Sequence, residues 1–151
     1  MTVSEHATSG ALGAALLARR DAGGKCLVPY LTGGLGDWTT MVGAAVHAGA
    51  DAVEVGIPFS DPVMDGPVIQ EANDRSLATG TTPASVLHDL SQVEVGVPVA
   101  VMTYANLVYR FGWDRFAAEA AAAGVAAAIL PDIPLEESGP WCAAADSAGV
   151  E

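Results

Sequence analysis

The sequence predicts an α/β protein in which helices cover a parallel sheet. Strand-like and helix-like segments alternate along the chain, and the predicted strands are apolar on both faces, as strands of a parallel sheet usually are. The dipeptide Ala-Gly recurs at 48–49, 123–124 and 148–149, each time where a helix with a C-cap glycine is expected to end. With 151 residues, of which 51% are hydrophobic and 16% charged, the chain is able to bury one core of ordinary size.

Four short apolar segments are predicted as strands: CLVPYL (26–31), DAVEV (51–55), VPVAVMT (97–103) and AAAIL (126–130). Helices are predicted over 37–48 with Asp37 as N-cap, over about 68–78, from Thr82-Pro83 onward, and over 113–123. A fifth strand is expected after Gly149, where the sequence stops. The order predicts about the first four strand-helix units of a (β/α)8 barrel, with residues 1–151 as the N-terminal half of one domain, truncated before strand 5. A small, complete doubly wound sheet is the alternative.

Composition and charge exclude several classes of protein. The chain has eighteen acidic residues and six scattered basic ones, which give a net charge of -12. No basic stripe is therefore available to bind a nucleic acid. No apolar run reaches the roughly 20 residues that cross a bilayer. The N-terminal MTVSEHATSG is not a signal peptide, and we expect a cytoplasmic protein without a membrane partner. Cys26 and Cys142 have neither metal-ligand nor disulfide-scaffold spacing, so no metal site is expected.

The strongest chemical candidate is Glu54, in the middle of the predicted strand DAVEV. Alternation places Glu54 on the side of the strand opposite Val53 and Val55. In a barrel it would point into the lumen near the C-terminal end of the strand, where barrels place their active sites. The alternative is a glutamate that merely pairs with an arginine. The following loop, PFSDPVMDGP, carries Asp61 and Asp65, which either form Asx-turns or converge with Glu54 on one substrate.

The segment TGGLGDW (32–38) raises a rival function. It lies between a predicted strand and helix, and Glu54 follows about twenty residues later, as in a dinucleotide-binding fingerprint. Two details argue against this assignment. Thr39 follows where a third glycine is needed, and Asp37 would repel a pyrophosphate at the helix N-terminus.

Four segments together resemble the alpha subunit family of tryptophan synthase: VPYLTGG, VEVGIPFSDPVMDGPVIQEAN, VMTYANLVYRFG and PDIPLEES, in the family's order from about 25 to 137. The resemblance implies a (β/α)8 barrel and a lyase of tryptophan biosynthesis. Its reaction is the retro-aldol cleavage of indole-3-glycerol phosphate to indole and glyceraldehyde 3-phosphate, without a cofactor. It also implies a partner, the beta chain, in an alpha2-beta2 heterotetramer, with pyridoxal phosphate only in that partner.

The resemblance also implies roles for individual residues. Glu54 would perform acid-base catalysis, and Asp65 would hydrogen-bond the indole N–H. The residues expected to line the substrate pocket are Tyr30, Met102, Tyr104 and Ile129. Those expected to face the beta chain are Asp61, Pro62, Asn106, Asp132 and Pro134. The family's phosphate-binding loops lie after later strands, so the 151 residues alone are expected to be inactive; a noncatalytic half barrel that docks on the beta subunit is the alternative.

Overall fold

The computed structural model describes residues 10–151, which form one four-stranded parallel sheet with helices packed against it. Residues 1–9 lie outside the described residues. They include most of MTVSEHATSG, the segment predicted not to be a signal peptide, and the start of the predicted domain. The sheet runs in the order β1-β2-β3-β4, and all neighbouring strands are parallel. The strands are β1 (Tyr30–Thr32), β2 (Val53–Gly56), β3 (Val99–Met102) and β4 (Val125–Ile129). The predicted α/β fold with a parallel sheet is therefore confirmed.

The helices, with one exception, connect successive strands or follow the last one. They are α1 (Ala11–Asp21), α2 (Trp38–His47), α3 (Pro67–Leu77), α4 (Pro83–Ser91), α5 (Ala105–Phe111), α6 (Trp113–Ala122) and α7 (Gly139–Ala148), with a short 3₁₀ helix at Leu135–Glu137. The exception is α1, which precedes the first strand. The sequence pattern does not predict α1 or α5. The first buries no residue fully and so has no clear apolar stripe, and the second is only seven residues long.

Three strands are shorter than predicted, and in two of them the reason is a proline. The segment 26–31 contains Pro29 and the segment 97–103 contains Pro98, and the regular strands begin after each proline. Proline has no N–H to donate to the ladder. Each proline still accepts a bond through its carbonyl, from Glu54 N–H at Pro29 and from Val53 N–H at Pro98, both at 3.0 Å.

The helix ends test the predicted caps. Thr82 caps α4 as predicted, because its side chain accepts a bond from Ser85 N–H at 3.1 Å while Ser85 Oγ accepts from Thr82 N–H at 2.9 Å. Asp37 is the N-cap residue of α2, as predicted, but its side chain makes no capping hydrogen bond. The three predicted C-cap glycines all have positive φ, at 97°, 79° and 74° for Gly49, Gly124 and Gly149.

The core lies between one face of the sheet and the helices. On the sheet side it is made of valines, including Val53, Val55 and Val101, each fully buried. On the helix side its largest members are Trp38, Phe116 and Trp141. After α7 the chain runs beside β4, where Glu151 exchanges backbone bonds of 2.9 Å with Ala126 and Ala128. No helix within residues 10–151 is long and apolar enough to cross a membrane.

Candidate active site

The face of the sheet opposite the core carries the candidate chemistry, and we call it the inner face. Parallel register aligns its residues in two rows across the strands. The first row is Tyr30, Glu54, Ala100 and Ala127, and the second is Thr32, Gly56, Met102 and Ile129. The structure thus brings Glu54 and three of the four expected pocket residues to one surface.

Glu54 is partly buried on this face and has no charged partner in the described part of the chain. The ion pairs among residues 10–151 use the carboxylates of Asp21, Asp51 and Glu119. The interpretation of Glu54 as an arginine-paired structural residue therefore finds no support. Burial raises the pKa of the Glu54 carboxyl above its ordinary value, because the charged form loses hydration.

Asp65 is held by Tyr104 across the site. The Tyr104 hydroxyl donates to Asp65 Oδ2 at 3.2 Å and accepts from the Met64 N–H at 2.9 Å. Tyr104 is 4% exposed, and its ring packs against Phe59 with centroids 4.9 Å apart. The loop after β2 is therefore fixed from the end of β3, and Asp65 is not simply solvated.

The charges of both carboxylates act on the Tyr30 hydroxyl. Burial is the main cause of a raised pKa at the Tyr30 hydroxyl; a hydrogen bond with Thr32 opposes it, and the charges of Asp65 and Glu54 raise it further. The Tyr30 ring also occupies the space beside Gly56, where any Cβ would collide with it. Glu54, partly buried and unpaired, and Asp65, bonded to a hydroxyl, are thus two carboxylates in unlike environments around one aromatic residue.

The glycine-rich loop after β1 is packed against the protein itself. The Gly33 N–H donates to Gly56 O at 2.8 Å, and the fully buried Ser76 Oγ donates to Gly33 O at 2.7 Å. Gly34 has φ 74°, and a Cβ there would collide with Thr81 and Ser76. In a dinucleotide fold such glycines make room for the pyrophosphate. Here the chain's own side chains fill that room, which argues against the dinucleotide-binding alternative.

The residues expected to face a partner lie in two places. Asn106, Asp132 and Pro134 line one groove of about 400 Å³ beside the start of α5. Asp132 Oδ1 also accepts from the Ala105 N–H at 2.8 Å, so the loop after β4 is tied to the start of that helix.

The other two expected partner residues lie in the loop after β2. Asp61 is exposed, and its Oδ2 accepts from Ser60 Oγ at 2.6 Å. Pro62 is buried, so it shapes the loop instead of presenting a surface.

A family model described as tryptophan synthase alpha chain matches residues 16–151. The chain belongs to the tryptophan synthase alpha chain family. A tryptophan synthase alpha chain of Thermobifida fusca is 46% identical over 140 residues, covering 89% of this chain and 52% of the relative. One of Streptomyces coelicolor is 47% identical, covering 91% of this chain and 48% of the relative. The chain thus spans about half the length of the curated relatives it matches.

Solved structures of tryptophan synthase give the same result. A tryptophan synthase structure from M. tuberculosis superposes with a TM-score of 0.88 at 35% identity, over 94% of this chain and 59% of that one. The alpha subunit from Legionella pneumophila str. Paris has a TM-score of 0.87 at 34% identity, over 93% and 56%. The four strands therefore correspond to about half of the family's (β/α)8 barrel, and the resemblance read from the sequence is confirmed. Tryptophan synthase alpha chains are lyases of tryptophan biosynthesis.

Sequence reasoning missed the contacts that hold this site of the alpha chain together. The resemblance places Tyr104 in the pocket, but nothing in the sequence indicates its bonds to Asp65 and Met64. Nor does the sequence predict that the Phe59 ring packs on Tyr104. The one available signal was an aromatic residue inside the proline-rich loop PFSDPVMDGP, where apolar side chains need a packing partner.

Proposed function

We propose that the native polypeptide carrying this chain cleaves indole-3-glycerol phosphate to indole and glyceraldehyde 3-phosphate. Family membership supports the reaction, and the observation that carries it is Glu54 on the inner face, in register with Tyr30, whose pKa the charges of both Glu54 and Asp65 raise. We further propose a cytoplasmic enzyme without a cofactor of its own. Its indole would pass to a beta chain that holds pyridoxal phosphate, within an alpha2-beta2 heterotetramer.

The reaction needs one proton delivered and another removed. A proton added to C3 of the indole ring makes the ring an electron sink, and a base removes the proton of the glycerol hydroxyl beside the bond that breaks. The O–H electrons then form the aldehyde C=O, while the pair of the broken C–C bond returns to the ring and neutralises its nitrogen. General acid-base catalysis of this kind contributes about 10²- to 10⁴-fold.

Glu54 is the group that fits the proton transfers. It lies on the inner face without a competing ion pair in the described residues. Its raised pKa leaves more of the protonated form near neutral pH than an exposed glutamate would have. A carboxyl in this state is able to give a proton to the ring and to serve as a base afterwards.

Asp65 fits the charge that develops on the indole nitrogen. Protonation at C3 places positive charge on the N–H, and a carboxylate that accepts a hydrogen bond from it stabilises the transition state more than the ground state. Around these two carboxylates, the planar indole would pack against Tyr30, Met102, Tyr104 and Ile129, of which the first three are at least partly buried.

The proposed beta-chain surface lies at the same end of the sheet as the site. Large apolar side chains are exposed on the loops after β2 and β4, with Val63 at 81%, Met64 at 62% and Leu135 at 85% exposure. Exposed apolar groups clustered at one end of a protein mark an interaction surface. In this proposal Asp61, Asn106, Asp132 and Pro134 contact the beta chain directly, and buried Pro62 acts by shaping its loop.

An assay of indole release from indole-3-glycerol phosphate by the native polypeptide tests the proposal. Indole should form without any added cofactor, and the rate should change when beta chain is added. No indole under either condition would contradict the enzyme assignment. Residues 1–151 alone are expected to be inactive. If they alter serine turnover by the beta chain without releasing indole, the noncatalytic docking function is favoured for that fragment.

A dinucleotide titration followed by fluorescence of the three tryptophans addresses the remaining rival. We expect no saturable signal, because Thr81, Ser76 and Val86 fill the space beside Gly33 and Gly34. Tight, saturable binding would instead favour a nucleotide-binding domain.

A further inference from the structure

The Tyr104 hydroxyl makes two hydrogen bonds within the protein, whereas a residue that only lines a pocket needs none. It accepts one hydrogen bond from the backbone N–H of Met64 and donates its single proton to Asp65 Oδ2. Both partners belong to the loop after β2, 39 and 40 positions away along the chain. One phenol thus fixes the backbone and the carboxylate of the same loop.

Tyr104 is itself held in place by two contacts. Its ring packs on Phe59, and it is 4% exposed. The next backbone N–H, at Ala105, is bonded to Asp132 Oδ1 at 2.8 Å, which holds the start of α5 to the loop after β4. The hydroxyl therefore reaches Asp65 from a residue that is held by Phe59 within the loop after β2 and, outside that loop, by the Asp132 bond at the start of α5.

These bonds leave the two oxygens of Asp65 unequal. Oδ2 accepts the Tyr104 proton, whereas among residues 10–151 no donor is bonded to Oδ1. From this geometry, and resting on the proposed function, we infer that Tyr104 is a positioning residue that fixes Asp65 so that Oδ1 accepts the indole N–H. The phenol touches no reacting atom in this role. It holds the carboxylate in one orientation while positive charge forms on the ring nitrogen.

Tyr104→Phe in the native polypeptide removes the hydroxyl and keeps the ring that packs on Phe59. We expect kcat for indole release to fall about tenfold while KM changes less than about twofold. The reason is that Asp65, no longer held in one orientation, makes a weaker contact with the indole N–H in the transition state. In an Asp65→Ala background the same substitution should change kcat by less than about twofold, because the group that it positions is gone. Hydrogen exchange at the Met64 amide should become at least about tenfold faster in Tyr104→Phe.

Ser91→Ala is the matched control. It also deletes one hydroxyl, whose Oγ donates to His88 O at 2.6 Å. Ser91 ends α4, before the chain enters β3, and so lies toward the end of the sheet opposite the loop after β2. This variant should keep the parent kcat and the parent Met64 exchange rate.

Three results would overturn the positioning role. They are an unchanged kcat in Tyr104→Phe, an equal loss of rate in the parent and Asp65→Ala backgrounds, and an unchanged Met64 exchange rate. The exchange measurement decides the matter if Asp65→Ala has no measurable rate. If the parent protein releases no indole at all, the proposed function fails instead. The Met64 exchange then still shows whether the Tyr104 hydroxyl holds this loop.

Discussion

Replacing Glu54 by glutamine tests the proposed mechanism most directly. Glu54 is partly buried on the inner face, and within residues 10–151 its side chain has no ion pair or hydrogen bond to lose. Glutamine has nearly the same size, so Glu54→Gln removes the ionisable group and little else. If Glu54 carries the proton transfers, kcat should fall by about 10²- to 10⁴-fold, which corresponds to about 2.7 to 5.4 kcal/mol of activation free energy.

The assay is the initial rate of indole release by the native polypeptide over a range of indole-3-glycerol phosphate concentrations. KM should stay within about twofold of the parent, because ground-state contacts survive the substitution. Glu94→Gln, at an exposed position in the segment before β3, is the matched control and should keep the parent rate. A kcat for Glu54→Gln within about threefold of the parent would remove Glu54 from the mechanism.

Three further predictions concern stability, each measured by urea denaturation. Burial raises the pKa of Glu54 in the folded state above its ordinary value of 4.5. The folded state therefore binds the proton more tightly than the unfolded state does. The stability that results is fully present below about pH 4.5 and is lost as the pH rises through the folded-state pKa. Glu54→Gln should therefore gain stability relative to the parent between about pH 4 and pH 8, and a constant difference would contradict the pKa shift. Thr82→Ala should lower the free energy of unfolding by about 1 kcal/mol, because the capping bond to Ser85 N–H is lost. Phe116→Ala should cost about 3–5 kcal/mol, since the ring is 1% exposed and packs against Phe111 and Trp141.

The sequence predicts the elements of the sheet well and their ends less well. Each predicted strand exists, because a run of apolar residues between helical segments has few other ways to be buried. The errors at Pro29 and Pro98 arise because apolar character continues through a residue that cannot donate to the ladder. Asp37 stands at the predicted N-cap position without a capping bond, because a residue type favoured at a helix start need not turn its side chain toward the free N–H groups.

Only part of the site can be predicted from the sequence. Alternation within one strand is a local property, so the side of β2 on which Glu54 lies is predictable from DAVEV alone. The register that sets Tyr30 beside Glu54 depends on how two separate strands pair. The bond between Tyr104 and Asp65 joins residues 39 positions apart and leaves no periodic trace in the sequence. From the sequence, only the resemblance to a known family indicates that these residues share a site.

In β2 the residues that stabilise the fold and the residue proposed for catalysis lie on opposite faces of the strand. Val53 and Val55 face the helices and are fully buried, whereas Glu54, between them, faces the inner side and contributes nothing to the core. A shift of the strand by one residue would exchange these surfaces and place the carboxylate in the core, so the valines fix the position of the acid by excluding the other register. It follows that substitutions in the core should lower stability without changing kcat per folded molecule, and that Glu54→Gln should do the reverse near neutral pH. A core variant that retains its fold but loses activity as strongly as Glu54→Gln would show that the two faces are coupled, and that the valines do more than hold the strand in place.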